Sequence, residues 1–120
     1  SGVTEGMTAH RNETFGPVVA VQRVASVEEA IALANDSLYG LSGSIWTRDL
    51  GRGIRVSRGI ETGNLSVNSH SSVRYWTPFG GYKDSGLGRE NGMESIKVFM
   101  ETKAVWVELS GATRDPFRMA

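Results

Sequence analysis

Ser26-Val27-Glu28-Glu29-Ala30-Ile31-Ala32-Leu33-Ala34-Asn35 is the stretch on which the reading of the fold turns. A serine followed three residues later by a glutamate forms a capping box, which satisfies orphan amide donors at a helix start. Val27, Ala30, Ile31 and Ala34 then recur at i, i+3, i+4 and i+7, one apolar face of an α-helix. The pattern predicts a helix over about 27–36, stopped at Tyr39-Gly40. Upstream, Pro17-Val18-Val19-Ala20-Val21 is a short valine-rich run that suits a strand buried on both faces of a parallel sheet. Downstream, Gly43-Ser44-Ile45-Trp46-Thr47 reads as a second strand. Asp49 caps a second helix at about 50–59, weakened by Gly51 and Gly53. Asn64-Leu65-Ser66-Val67-Asn68 alternates as a half-buried strand does.

The remainder is less regular. Residues 69–92 read as a long loop, which a domain usually keeps for a functional reason. A helix follows at about 91–100, with Met93, Ile96 and Met100 near one face, and alternation over 103–109 predicts a final strand with no obvious partner in the chain. Strand, helix, strand, helix, strand points to an α/β architecture.

The composition excludes several classes. The 120 residues carry 13 basic and 13 acidic side chains, so the clustered positive charge of a nucleic-acid or polybasic membrane surface is not expected. No apolar run approaches the roughly 20 residues of a membrane span, and no signal peptide is visible at Ser1-Gly2-Val3-Thr4-Glu5. There is no cysteine, which rules out disulfides and thiolate metal sites within the chain and fits a cytoplasmic protein. His10 and His70 are too few and too far apart for a metal site.

Two runs carry chemistry. In Glu13-Thr14-Phe15-Gly16-Pro17-Val18, the Glu13 carboxylate offers two acceptor oxygens, a match for the two hydroxyls of a ribose, and Phe15 offers a flat apolar face. The same residues also read as a surface glutamate and a core phenylalanine in a turn closed by Gly-Pro. Some sixty residues later comes Pro78-Phe79-Gly80-Gly81-Tyr82-Lys83-Asp84-Ser85-Gly86-Leu87-Gly88-Arg89-Glu90. Its glycines do not have phosphate-loop spacing, so it reads as a tightly turned structural loop with Lys83 structural as well. The Asn-x-Ser/Thr triplets at Asn12, Asn35 and Asn64 are chance matches without a secretion signal.

In this order and at this separation the two runs resemble the closing segment of an aldehyde dehydrogenase. The resemblance continues through Glu28 to Asn35, Tyr39-Gly40-Leu41, Gly63-Asn64-Leu65-Ser66-Val67-Asn68 and on to Lys103 and the final strand, covering about residues 3–109. Arg89-Glu90-Asn91-Gly92 and the ungapped final strand look most like the betaine and aminoaldehyde branch.

The resemblance implies a C-terminal portion of the catalytic domain at 1–102, mostly parallel sheet with covering helices, an oligomerisation strand at 103–109 and a tail at 110–120. It implies NAD or NADP as cofactor, with Glu13 on the nicotinamide-side ribose and Phe15 beside the nicotinamide. It also implies an aldehyde substrate entering past Ser69, Ser71 and Val73, and a homo-oligomer built through the last strand. In the family a cysteine thiolate attacks the aldehyde, hydride passes to NAD(P), and a separate glutamate activates the water that releases the acid. The positions of that cysteine and that base lie upstream, so no catalytic residue is placed on this chain and it is expected to be inactive alone. The 69–76 loop also reads as a solvated connection whose aromatics pack on the core. His70 is rejected as a general base because no nucleophile beside it is identifiable. The competing expectation is a non-catalytic binding or interaction module derived from the same family.

Overall fold

A computed structural model of the chain describes residues 2–4, 6–70, 73–111 and 117. The centre of the fold is a β–α–β unit. Strand β2 (Ser42–Ile45) pairs in parallel with β3 (Asn64–Val67), from Ser42 opposite Asn64 to Ile45 opposite Val67. Helix α3 (Leu50–Gly59) makes the crossover, as a parallel pair requires. Its N-cap is Asp49, whose carboxylate accepts from the Arg52 N–H at 2.9 Å. Gly53, which weakens the helix by propensity, has a packing reason. A Cβ there would meet Thr47 Cγ2 and Val67 Cγ1, both at 3.1 Å, so any larger residue would make these side chains give way, and glycine lets the helix lie this close to β3 without that.

Helix α2 (Val27–Asn35) precedes this unit and leans on α3, Ile31 lying against Gly59. The capping box forms in a modified way. Ser26 Oγ accepts from the Glu29 N–H at 3.0 Å, while the Glu29 carboxylate reaches one residue further back, to the Ala25 N–H at 2.7 Å. A single turn, α1 (Thr8–Arg11), lies ahead of it. Tyr39–Gly40, read as a helix stop, is also a strand, β1, paired antiparallel with β4 (Tyr82–Lys83). The Pro78–Glu90 run thus returns to the point where α2 ends, closed at its base by the reciprocal Phe79–Glu90 bridge.

Four expectations are corrected. The sheet among the described residues is one parallel pair and one short antiparallel pair, not a broad, mostly parallel sheet covered by helices. The 17–21 run forms no strand, with Val19 82% exposed, because nothing described supplies the ladder partner that a strand needs. The final strand at 103–109 does not form either. Those residues belong to no helix or strand, and Trp106 and Leu109 are at least 90% exposed. The helix expected at 91–100 is a 3₁₀ helix over Met93–Phe99. It has no side-chain cap and its apolar residues are uncovered, and a short segment lacking tertiary packing gains little from α-helical geometry.

No large apolar side chain is buried among the described residues. The accessible surface is 10427 Å² and the radius of gyration 22.1 Å. A packed monomer of this mass would expose about 6,300 Å² and have a radius of about 14 Å.

Candidate functional site

The parallel pair and the loop that leaves it form one wall of a cleft of about 760 Å³. Ser44 on β2, Ser66 and Val67 on β3, Ser69 and Val73 in the following loop, and Phe79 line it together. No aspartate, glutamate, lysine or arginine is among its lining residues; it is a surface of hydroxyl and apolar groups with the Asn64 amide and the His70 imidazole. Ser69 and Val73, two of the three expected entrance residues, are therefore brought to one place. Ser71, the third, lies outside the described residues. Ser44 and Phe79 were not anticipated. Ser44 could have been found from strand alternation, which puts residues two apart on one face. Tyr75 and Trp76 stack edge to face at 4.4 Å, yet they stay exposed and do not line the cleft.

His70 Nδ1 lies 3.3 Å from the Ser44 hydroxyl. A serine–histidine pair becomes a nucleophile and base only when a third group orients the ring. The ground for setting His70 aside, that no nucleophile lies beside it, is therefore corrected: the Ser44 hydroxyl does. Among the described residues no hydrogen bond or ion pair joins His70 to an acidic side chain, so the orienting third group is not found there.

The direction of the loop is set where β3 ends. Asn68 has a left-handed backbone, φ 54°. Its N–H donates to the Ile45 carbonyl at 2.7 Å, and its side-chain oxygen accepts from the Thr47 N–H at 2.8 Å. Thr47 Oγ1 in turn accepts from the Asp49 N–H at 3.1 Å, so the strand end, the loop and the α3 cap are one connected set.

The second motif acts as a clamp. Lys83, also left-handed at φ 53°, donates from Nζ to the carbonyls of Asn35 at 2.8 Å and Ser37 at 3.1 Å, and meets the Glu61 carboxylate at 2.9 Å. A cation on the last carbonyls of α2 satisfies acceptors that the helix leaves unpaired and complements its dipole. Arg89 donates to the Gly81 carbonyl at 2.9 Å and lies 5.5 Å from the Tyr82 ring centroid. Gly80 packs against the backbone of Gly63 and Gly88, with no room for a side chain. The structural reading of Lys83 and of the glycine run holds.

Glu13 and Phe15 sit elsewhere, on the irregular stretch before α2, and do not line the cleft. Glu13 makes no ion pair or side-chain hydrogen bond among the described residues, and Phe15 is 93% exposed, so it is not a core residue. An open carboxylate two residues from an open ring can lend contacts to a dinucleotide, but two exposed residues cannot hold one by themselves.

The comparisons with known proteins follow this geometry closely. The sequence model of the aldehyde dehydrogenase family matches residues 1–105. The chain belongs to the aldehyde dehydrogenase family. It is 46% identical over 99 residues to the NADP/NAD-dependent aldehyde dehydrogenase PuuC of Escherichia coli K12, covering 82% of this chain and 20% of that one. It is 41% identical over 115 residues to the betaine aldehyde dehydrogenase of Brucella anthropi, covering 96% of this chain and 23% of that one. Among solved structures, the Mycobacterium tuberculosis aldehyde dehydrogenase complexed with NAD+ superposes with a TM-score of 0.83 at 44% identity, over 93% of this chain and 23% of that one. The apo betaine aldehyde dehydrogenase of Staphylococcus aureus superposes with a TM-score of 0.85 at 34% identity, over 95% of this chain and 24% of that one. The chain thus has the α/β fold of aldehyde dehydrogenases and spans between a fifth and a quarter of the length of these relatives.

Proposed function

We propose that this chain is the C-terminal portion of an NAD(P)-dependent aldehyde dehydrogenase that oxidises an aldehyde to a carboxylic acid. The observation that carries the reading is the meeting of Ser69 and Val73 at one cleft without carboxylates, lysine or arginine, in a chain of this family that buries no large apolar side chain among its described residues. A wall of mainly hydroxyl and apolar groups, without carboxylates, lysine or arginine, suits a neutral carbonyl compound better than an anion or a polycation. Ser69, Ser71 and Val73 form part of the aldehyde entrance. The exposed apolar surface is where the remainder of the enzyme packs.

Glu13 and Phe15 serve the cofactor. The Glu13 carboxylate accepts from a ribose diol, and the Phe15 face lies against the nicotinamide, which when bound takes up the hydride. These two residues orient; they transfer no proton. With no cysteine in the chain, the thiolate that attacks the aldehyde comes from outside it, and residues 1–120 alone are inactive. The segment 103–109 contributes to subunit contacts in a homo-oligomer.

The test is Glu13→Gln in the protein made from its complete coding sequence, assayed by single-turnover hydride transfer. The substitution keeps the shape but turns one acceptor into a donor facing a diol of donors. A charge-assisted bond is worth roughly 1.5–3 kcal/mol, so the rate falls about tenfold to a hundredfold through nicotinamide positioning. An unchanged hydride-transfer rate removes Glu13 from the cofactor site.

A further inference from the structure

We propose that Asn68 is a positioning residue for the aldehyde entrance: it ends the β2–β3 ladder with its own side chain and so turns Ser69 into the cleft. This rests on the function proposed above. The register runs to Ile45 opposite Val67, so the next rung would join Trp46 and Asn68. One bond of that rung is present, from the Asn68 N–H to the Ile45 carbonyl at 2.7 Å. In a continuing parallel ladder the second would run from the Thr47 N–H to the Asn68 main-chain carbonyl. Here the side-chain oxygen of Asn68 takes that donor at 2.8 Å. The substitution of side chain for main chain frees the Asn68 carbonyl, and the backbone turns left-handed, φ 54°.

Asparagine suits both demands. It tolerates the left-handed region better than other side chains and carries an acceptor at the right reach. The bond also fixes Thr47, whose hydroxyl accepts from the Asp49 N–H at the α3 cap. The entrance loop is thereby tied to the most regular part of the fold rather than to other loops. Ser69, the next residue, is half-buried and lines the cleft with Ser44 and Val73. Asn68 is exposed and is not among the lining residues, so its effect on substrate passes through the loop it aims.

Three variants of the protein made from its complete coding sequence separate the two demands. Asn68→Asp keeps the acceptor, Asn68→Gly keeps only the backbone freedom, and Asn68→Ala keeps neither. Misplacing a substrate wall by about an ångström can cost up to a hundredfold. The aldehyde KM is therefore expected to rise about tenfold in Asn68→Ala and less in Asn68→Gly. It returns close to wild type in Asn68→Asp, with the NAD(P) KM little changed throughout. Amide exchange at Thr47 is expected to accelerate in Asn68→Gly and Asn68→Ala but not in Asn68→Asp, while α2 amides keep their protection. Equal rises in the aldehyde and cofactor KM, or Asn68→Gly matching wild type in aldehyde KM, would overturn the proposal. If Asn68→Ala does not fold, Asp against Gly decides on the same readouts. A wild-type protein without aldehyde-dependent nicotinamide reduction would overturn the proposed function, whereas Thr47 exchange unchanged in Asn68→Gly would overturn the clamp itself.

Discussion

Lys83 shows how much one side chain of this fold can matter. Its side chain is about three-quarters covered, and its ammonium group holds two carbonyls at the end of α2 as well as Glu61. Lys97 makes a shorter contact, 2.7 Å to Glu94, but on an exposed helical turn with its side chain 75% exposed. Distance alone would rank Lys97 first; desolvation and the number of acceptors reverse that. Hydrogen bonds to charged groups are worth roughly 1.5–3 kcal/mol, and exposed ion pairs rarely reach 1. Lys83→Met is therefore expected to destabilise the protein made from its complete coding sequence by about 2 kcal/mol, and Lys97→Met by about 0.5 or less, as read from urea unfolding midpoints. Equal effects would mean that the clamp contributes nothing special.

Lys83 was legible in the sequence only as structural. Its partners, the carbonyls of Asn35 and Ser37, lie more than forty residues away, and no periodicity encodes a backbone carbonyl. Asn68 was harder still. It read as the last residue of an alternating strand, and its left-handed turn depends on Thr47 being across the ladder. Glu13 and Phe15 stood out through motif order, and both are exposed.

At the scale of elements, legibility tracked local self-sufficiency. The α2 helix announced itself through its cap and spacing and forms at Val27–Asn35. Helix α3 forms at Leu50–Gly59 despite its glycines, because Gly53 is used for contact with β3. Where an element needed a distant partner, the pattern misled. The 17–21 and 103–109 runs have strand composition but no ladder, and Met93–Phe99 winds as 3₁₀.

The α3 cap also has a pH signature. The Arg52 N–H bond, with the Arg52 and Arg55 charges in support, holds the Asp49 carboxyl below its ordinary value of 3.8. A depressed folded-state pKa means the cap's contribution is fully present above 3.8 and is lost as pH falls through the lowered value. Amide exchange at Arg52 is expected to quicken in that acid window for the wild type. Asn at the cap accepts the same bond without titrating, so Asp49→Asn should remove the pH dependence while keeping the protection. Acid-dependent exchange that persists in Asp49→Asn would place its source elsewhere.

At the scale of the molecule, the accessible surface exceeds that of a packed monomer of this mass by about 4,000 Å², and every large apolar side chain on the 103–109 segment is mostly exposed. Backbone and side chains there want cover. The 120-residue chain alone is expected to self-associate in light scattering, and deletion of residues 103–120 to reduce that association. A well-behaved monomer whose state ignores the deletion would contradict the role given to this segment.

The central claim is that these residues complete an aldehyde dehydrogenase without being one. The most direct measurement follows reduced nicotinamide with NAD or NADP and a panel of aldehydes. It compares the 120-residue chain alone, the remaining cysteine-bearing part of the enzyme alone, and the two co-expressed and purified together. The account predicts no turnover from either part and turnover from the pair, lowered by Glu13→Gln. Enzyme-like turnover by the 120-residue chain alone, or a co-purified pair that reduces no nicotinamide, would contradict it.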